Sequence, residues 1–434
     1  MINNNNNTSS DNYADLYNLK HGLKETKNNL YIFFKWLFLA VISGITIGIV
    51  ASIFSKVLGM GCSYRESHTW LVMFLPFAGI FIVFIYEKFG KEDRGTNQII
   101  GTIKETDDAP LISAPLIFIS TIITHLFGGS AGREGAAIQL GGSLGNRLGK
   151  IFKLDKEDRH VIVMCGMCAS FSAVFGTPIA ATIFSMEISS VGILYYTALF
   201  PCIISGIVAS AIAGSFGLHG ETFIVSNIPS LGLKSLSIVI ILGLLCALVS
   251  VLFCYSLGLA DKIYKRYFKN PYIRIIFASV LFIIITIILG TADYMGSGSN
   301  LIEMAIEEGT TRPEAFIMKI ILTAIIMKAG FKGGEIVPSF SIGATFGCLF
   351  GTLLGFSPSF MAACAMVAVF CGVTNCPLTS AFLAFEMFGF EGAPFYAVIV
   401  AVSYAASGYY SLYKTQTITY SKYKAKYVGR DTIE

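Results

Sequence analysis

One acidic residue, Glu134, stands in Gly132-Arg133-Glu134-Gly135, directly after the loop Gly128-Gly129-Ser130-Ala131, in a chain that is otherwise largely apolar. A carboxylate at membrane depth is costly and is usually retained for a proton or ion path. The glycines before it resist a helix, whereas Ala136-Ala137-Ile138-Gln139-Leu140 after it favour one. Glu134 is therefore expected at the N-terminus of a helix that starts inside the bilayer, where unpaired N–H groups point at an anion. A titratable anion beside such a helix end has the chemistry of proton-linked anion movement. Other chemistries find less support. Cys165 and Cys168 form a C-x-x-C within an apolar run, with no second pair and no nearby histidine, so they read as packing residues. The five histidines form no H-E-x-x-H. No metal, no cofactor and no enzymatic activity are expected.

The elements that must hold Glu134 are membrane helices. The 434 residues are 54% hydrophobic and 13% charged, with a mean hydropathy of +0.68; a soluble domain carries about 25% charged residues. Apolar stretches of roughly 20 residues, enough to cross a bilayer, recur at 31–60, 70–86, 111–126, 160–174, 194–213, 236–260 and 273–289. Shorter, glycine-broken segments lie at 135–148, 178–188, 339–354 and 377–390. The expectation is an all-α polytopic protein of the cell membrane. The first apolar run is too long for a signal-peptide core. Residues 1–29, opening on Asn3–Asn7, read as a disordered cytoplasmic tail. Lys20, Lys24 and Lys27 place it inside, and Lys414, Lys422, Lys424, Lys426 and Arg430 place a second tail, 414–434, inside as well. The net charge of +4 is concentrated in these flanks and speaks for membrane orientation, not for nucleic acid.

The chain repeats itself. Met167, Pro178 and Glu187 return as Met366, Pro377 and Glu386 at a constant offset of 199 residues, and Glu134…Gly142 returns as Glu335…Gly343 at 201. Repeats with short, glycine-broken segments at matching places point to a transporter site. The halves are taken as 30–232 and 233–413. If they are inverted, the helix behind Glu134 and the helix opened by Pro338 converge near the midplane. Pro338 suits a first helical turn, and the backbone at Glu335, Ile336 and Val337 offers free N–H groups to an anion.

Four ordered elements carry a family resemblance: Gly95-Thr96-Asn97-Gln98; Gly132-Arg133-Glu134-Gly135; Phe175-Gly176-Thr177-Pro178 leading to Glu187; and Gly333-Gly334-Glu335-Ile336-Val337-Pro338. Together they resemble the CLC family of chloride channels and anion/proton antiporters across residues 30–415. The resemblance implies a homodimer with one anion pathway per subunit, each subunit made of two inverted repeats of tilted and broken helices. It also implies that Glu134 is the gating and proton-carrying glutamate, with Arg133 and Gly135 beside the anion. Thr96, with Asn97 next to it, closes the inner end. The backbone at Glu335, Ile336 and Val337 donates to the anion, and the hydroxyl of Tyr410, or else Tyr409, faces it.

The departures from the family pattern are informative. Thr96-Asn97-Gln98 stands where chloride-type members usually have Ser-Gly-Ile, and Ala136 replaces the proline after the gating motif. Ile188 occupies the place of a second, proton-relaying glutamate in many chloride/proton exchangers, and Glu335 replaces an apolar residue. This combination resembles the fluoride/proton antiporter branch, although Val337 stands where that branch often has a hydroxyl. The expected function is proton-coupled export of fluoride across the cytoplasmic membrane. The alternative is a chloride/proton antiporter or chloride channel of the same family. Glu187 and Glu386, at equivalent places in the halves, are expected to be architectural. Glu335 is expected to serve either as a proton station or as a tied carboxylate.

Overall fold

The computed structural model describes residues 8–91, 93–104 and 108–433. The first half contains α1 (Thr8–Ser67), α2 (Leu75–Phe89), α3 (Thr96–Ile103), α4 (Ser113–Leu126), α5 (Glu134–Ile151), α6 (Lys156–Phe175), α7 (Pro178–Glu187) and α8 (Leu199–Ser215). The second contains α9 (Leu233–Tyr267), α10 (Pro271–Leu289), α11 (Ser299–Glu303), α12 (Ala315–Ala329), α13 (Ile336–Leu354), α14 (Pro358–Thr374), α15 (Pro377–Phe388) and α16 (Ala393–Ala406). Seven stretches of the described chain are long and apolar enough to cross a membrane. The protein is a multi-pass membrane protein of two inverted helical halves.

The repeat is visible in helix ends. Gly176 closes α6 in the left-handed region at φ 70°, and Pro178 opens α7 two residues on. Asn375 closes α14 in the same region at φ 58°, and Pro377 opens α15. A left-handed C-cap followed by proline stops one helix and starts the next at a new angle. The same correspondence governs packing. A Cβ at Gly141 of α5 would stand 2.2 Å from the Gly166 carbonyl of α6, and one at Gly347 of α13 would stand 2.2 Å from the Met361 carbonyl of α14. Backbones approach this closely only where small residues allow it. α6 from Val161 and α14 from Ser359 are buried to their ends, so the two equivalent helices form the centre of the molecule.

Glu187 and Glu386 lock the halves together reciprocally. The Glu187 carboxylate accepts from the Leu378 and Thr379 N–H groups at 3.2 and 2.9 Å and from the Thr379 hydroxyl at 2.6 Å, capping α15. Glu386 accepts from the Ile179 and Ala180 N–H groups at 3.0 and 2.7 Å, capping α7. Proline at the first position of each helix removes one orphan donor, and the opposite half's glutamate satisfies the next two.

Two boundaries differ from the sequence reading. The segment expected as a disordered tail over 1–29 is helical from Thr8, because α1 runs unbroken into the first span. Once a span has nucleated a helix, each added residue gains a hydrogen bond, and no proline interrupts residues 8–31. Asn3–Asn7 lie outside the described residues. Residues 414–434 were expected only as a tail. Their described part folds back as β2 (Thr417–Tyr420) and β3 (Tyr427–Asp431), with β2 parallel to β1 (Ser190–Val191) and antiparallel to β3. Fully buried Gln416 ties this segment to both halves, donating to the Ile188 carbonyl at 2.9 Å and the Thr374 carbonyl at 2.8 Å.

Candidate anion site

The loops before α5 and α13 meet head on. Gly132 and Gly334 form an isolated antiparallel bridge, with N–H to carbonyl distances of 2.7 and 2.8 Å. Glu134 is the first residue of α5 and is completely buried. Its side chain turns back over its own helix end, and its Oε1 accepts from the Ile336 N–H, the first residue of α13, at 2.6 Å. The amides of Val337 and of Glu134 itself also lie beside this carboxylate. Oε2 is buried and has no hydrogen-bond partner among the described residues. A Cβ on Gly132 or Gly334 would stand 2.3 Å from a Glu134 oxygen. Only glycine leaves room for the carboxylate between the two bridged loops. An anionic oxygen thus occupies the N–H cradle of two opposed helix ends. A free anion of similar size would suit the same place only after that oxygen leaves.

Arg133 does not neutralise Glu134. Its guanidinium pairs with Glu221 and lies 5.6 Å from the Phe175 ring centre. Adjacent residues at a helix start diverge, and here they serve different partners.

On one side of the gate lies a cavity of about 160 Å³ whose wall includes Thr96, Asn97, Gln139, Lys328, Glu335 and Tyr413. The Thr96 hydroxyl donates to the Gly135 carbonyl at 3.4 Å and accepts from Gln139 Nε2 at 3.1 Å. Asn97 is held by Thr415, whose N–H donates to Asn97 Oδ1 at 3.3 Å and whose hydroxyl donates to the Asn97 carbonyl at 3.1 Å. Glu335 caps α13 in sequence but turns its side chain to Lys328, at 3.7 Å. Lys332 lies over the Tyr86 ring instead, 3.9 Å from its centre.

The tyrosine is a correction. Tyr410 does not line this cavity: its carbonyl accepts from Asn375 Nδ2 at 2.9 Å, and its backbone bridges to Ile433. The Tyr409 hydroxyl is 3.0 Å from Ser421 Oγ, under the Arg430 guanidinium. The cavity tyrosine is Tyr413, which is 4% exposed and shares the cavity wall with Glu335. The cause is the path of the chain. Gly408, at φ 65°, lies in the turn after α16, and the following segment is pinned when the Leu412 N–H reaches the Val373 carbonyl. That pin carries the next side chain to the cavity. Tyr413→Phe is expected to weaken apparent anion affinity by about fivefold, the worth of one hydrogen bond of about 1 kcal/mol, whereas Tyr410→Phe leaves it unchanged. Concentration dependence of anion flux in liposomes distinguishes the two.

The structure thus brings Glu134, Gly135, Ile336 and Val337 to one cradle, and Thr96, Asn97 and Glu335 to the cavity beneath it. Arg133 stands to one side. Gln139 was missed as a site residue. Its signal was one of two amides, with Asn146, in a small-residue intramembrane helix, and its Oε1 is buried without a hydrogen-bond partner among the described residues.

Two inverted bundles meeting at a carboxylate-filled amide cradle define an intramembrane ion pathway. The chain belongs to the voltage gated chloride channel family, whose pattern matches residues 78–408. It is similar to a chloride/fluoride channel protein of Pseudomonas syringae pv. tomato, with 34% identity over 397 residues, 90% of this chain and 88% of that one. An H(+)/Cl(-) exchange transporter ClcA of Vibrio cholerae is 24% identical over 388 residues, 82% of each chain. Among solved structures, a CLC-type fluoride/proton antiporter superposes with a TM-score of 0.85 at 32% identity, covering 89% of this chain and 98% of that one. A slow cyanobacterial Cl-/H+ antiporter superposes at 0.76 with 20% identity, over 86% of this chain and 94% of that one, and supports the fold.

Proposed function

We propose that the protein exchanges fluoride for protons and exports fluoride from the cytoplasm, as a homodimer in the cell membrane with both termini inside. The observation that carries this reading is the Glu134 carboxylate filling the Ile336 N–H cradle. Burial favours the neutral acid and the helix-end amides favour the anion, so protonation releases the amides to a halide. Fluoride is small and strongly hydrated, and its site must replace water with donors; the cradle amides and the hydroxyls of Thr96 and Tyr413 supply them. Fluoride over chloride is supported by the fluoride/proton antiporter at 32% identity and by Glu335 in the cavity. It is supported further by Ile188, fully buried where an ordinary exchanger's second glutamate would be.

The test is purified protein in liposomes, with fluoride or chloride gradients and a proton readout. Fluoride-driven proton uptake, with chloride inert, is the expected result. Chloride-driven uptake at equal rate would assign the chloride/proton exchange reading, and halide flux without protons would assign a channel.

A further inference from the structure

A second pocket, which the gate and its cavity do not use, lies at the other end of α1. Within α1 Lys35 pairs with Asp158 at the start of α6, and in its last turn Arg65 lies beside the gate loop. There Arg65, Glu66, Arg133, Ser297, Ser299 and Asn300 frame a cavity of about 150 Å³. Its wall is bonded to the loop that ends in Glu134: the Gly296 N–H donates to the Gly128 carbonyl at 3.3 Å, and the Ala131 N–H donates to the Gly296 carbonyl at 3.2 Å.

We infer that this pocket is an outer anion-capture site, a station that holds the transported anion on the side of Glu134 away from the Thr96 and Glu335 cavity; the inference rests on the transport reading above. Arg65 is 9% exposed, yet its carboxylate partner Glu66, at 3.1 Å, has a side chain 67% exposed to solvent. Buried charges are ordinarily paired within the protein; Glu66 stands on the same wall, and because its side chain is largely solvated it offsets only part of the guanidinium's field in the pocket. Of its five N–H donors, one goes to Glu66 and one weakly to the His125 carbonyl at 3.4 Å.

The wall is shaped for that guanidinium. Gly296, at φ 64°, lies so close that a Cβ would stand 2.3 Å from Arg65 Nη1. Behind it, fully buried Lys319 donates to the Tyr294 and Gly296 carbonyls at 3.2 and 2.8 Å, fixing the loop. Ser297 and Ser299 place their hydroxyls 2.9 Å apart on the same wall. At about 30 Å³ per water, the pocket suits a halide that keeps several waters. Capture there needs no selectivity, which the dehydrating amide cradle supplies. A charge at such a mouth acts on encounter and depends on salt.

The experiment measures fluoride transport in right-side-out and inside-out membrane vesicles, varying fluoride on the accessible face. Arg65→Gln should raise half-saturating fluoride at the outer face by about fivefold or more, with the cytoplasmic value and the proton-to-fluoride ratio unchanged. Arg65→Lys should restore most of the loss, and added inert salt should shrink the difference. Asn300→Asp, on an exposed position, places negative charge at the pocket without touching the buried arginine and should produce the same one-sided rise. Equal changes at both faces, or no outer change in Asn300→Asp, overturn the capture site. If the wild type moves only chloride, the fluoride reading fails and the same titration with chloride still decides this inference.

Discussion

Glu134→Gln liposomes should show no fluoride-driven proton uptake above background, a fall of roughly 10²-fold or more, the scale on which losing a proton-transfer group acts. The amide is nearly isosteric with the carboxyl but can neither shed nor take a proton at working pH. It therefore keeps the cradle geometry and removes only the titration. Glu134→Ala removes both the proton carrier and the plug in front of the Ile336 N–H. It should also lose proton uptake while fluoride crosses uncoupled. The two variants together separate carrying a proton from blocking a path. Fluoride-driven proton uptake at the normal rate in either one defeats the mechanism, because no other carboxylate in the cradle could replace Glu134: Glu335 turns to Lys328 on the cavity side.

Glu335→Gln should reduce coupled fluoride transport by about tenfold, equivalent to about 1.4 kcal/mol at the rate-limiting barrier. The Lys328 pair, at 3.7 Å, leaves only about a fifth of each side chain exposed, so removing the Glu335 charge also costs stability and the melting temperature is read beside transport. A change in transport without a change in melting temperature would thus report a role in the pathway. The informative measurement is the ratio of protons to fluoride. A ratio that shifts makes Glu335 a proton station, a slower rate at constant ratio makes it an electrostatic partner of the anion, and wild-type behaviour assigns it to scaffolding.

Much of this architecture was legible in the sequence because membranes simplify the problem. Backbone groups in lipid must be satisfied internally, so apolar length alone fixes helices, and a constant 199-residue offset exposed the repeat. The repeat also indicated the role of Glu187 and Glu386. Two carboxylates at matching places have matching neighbours, and each caps the other half's helix. The Tyr413 side chain was not legible. Tyr409, Tyr410 and Tyr413 crowd one short stretch, and the choice among them depends on a pin from Val373, distant in sequence. The helical start at Thr8 was hidden for a different reason: composition suggested disorder, but continuity with a span overrode it.

By itself the sequence determined that helices cross a bilayer, that they come in two related sets, and that one glutamate begins a helix at depth. Glycine, proline and charge have local consequences that need no partner. Only the tertiary structure decided what that glutamate's oxygen touches, which tyrosine lines the cavity, and that Arg65 meets Arg133 across a pocket. Those facts join residues far apart in the chain, and the closest of them depend on glycines whose missing Cβ atoms matter only once the opposite loop is in place.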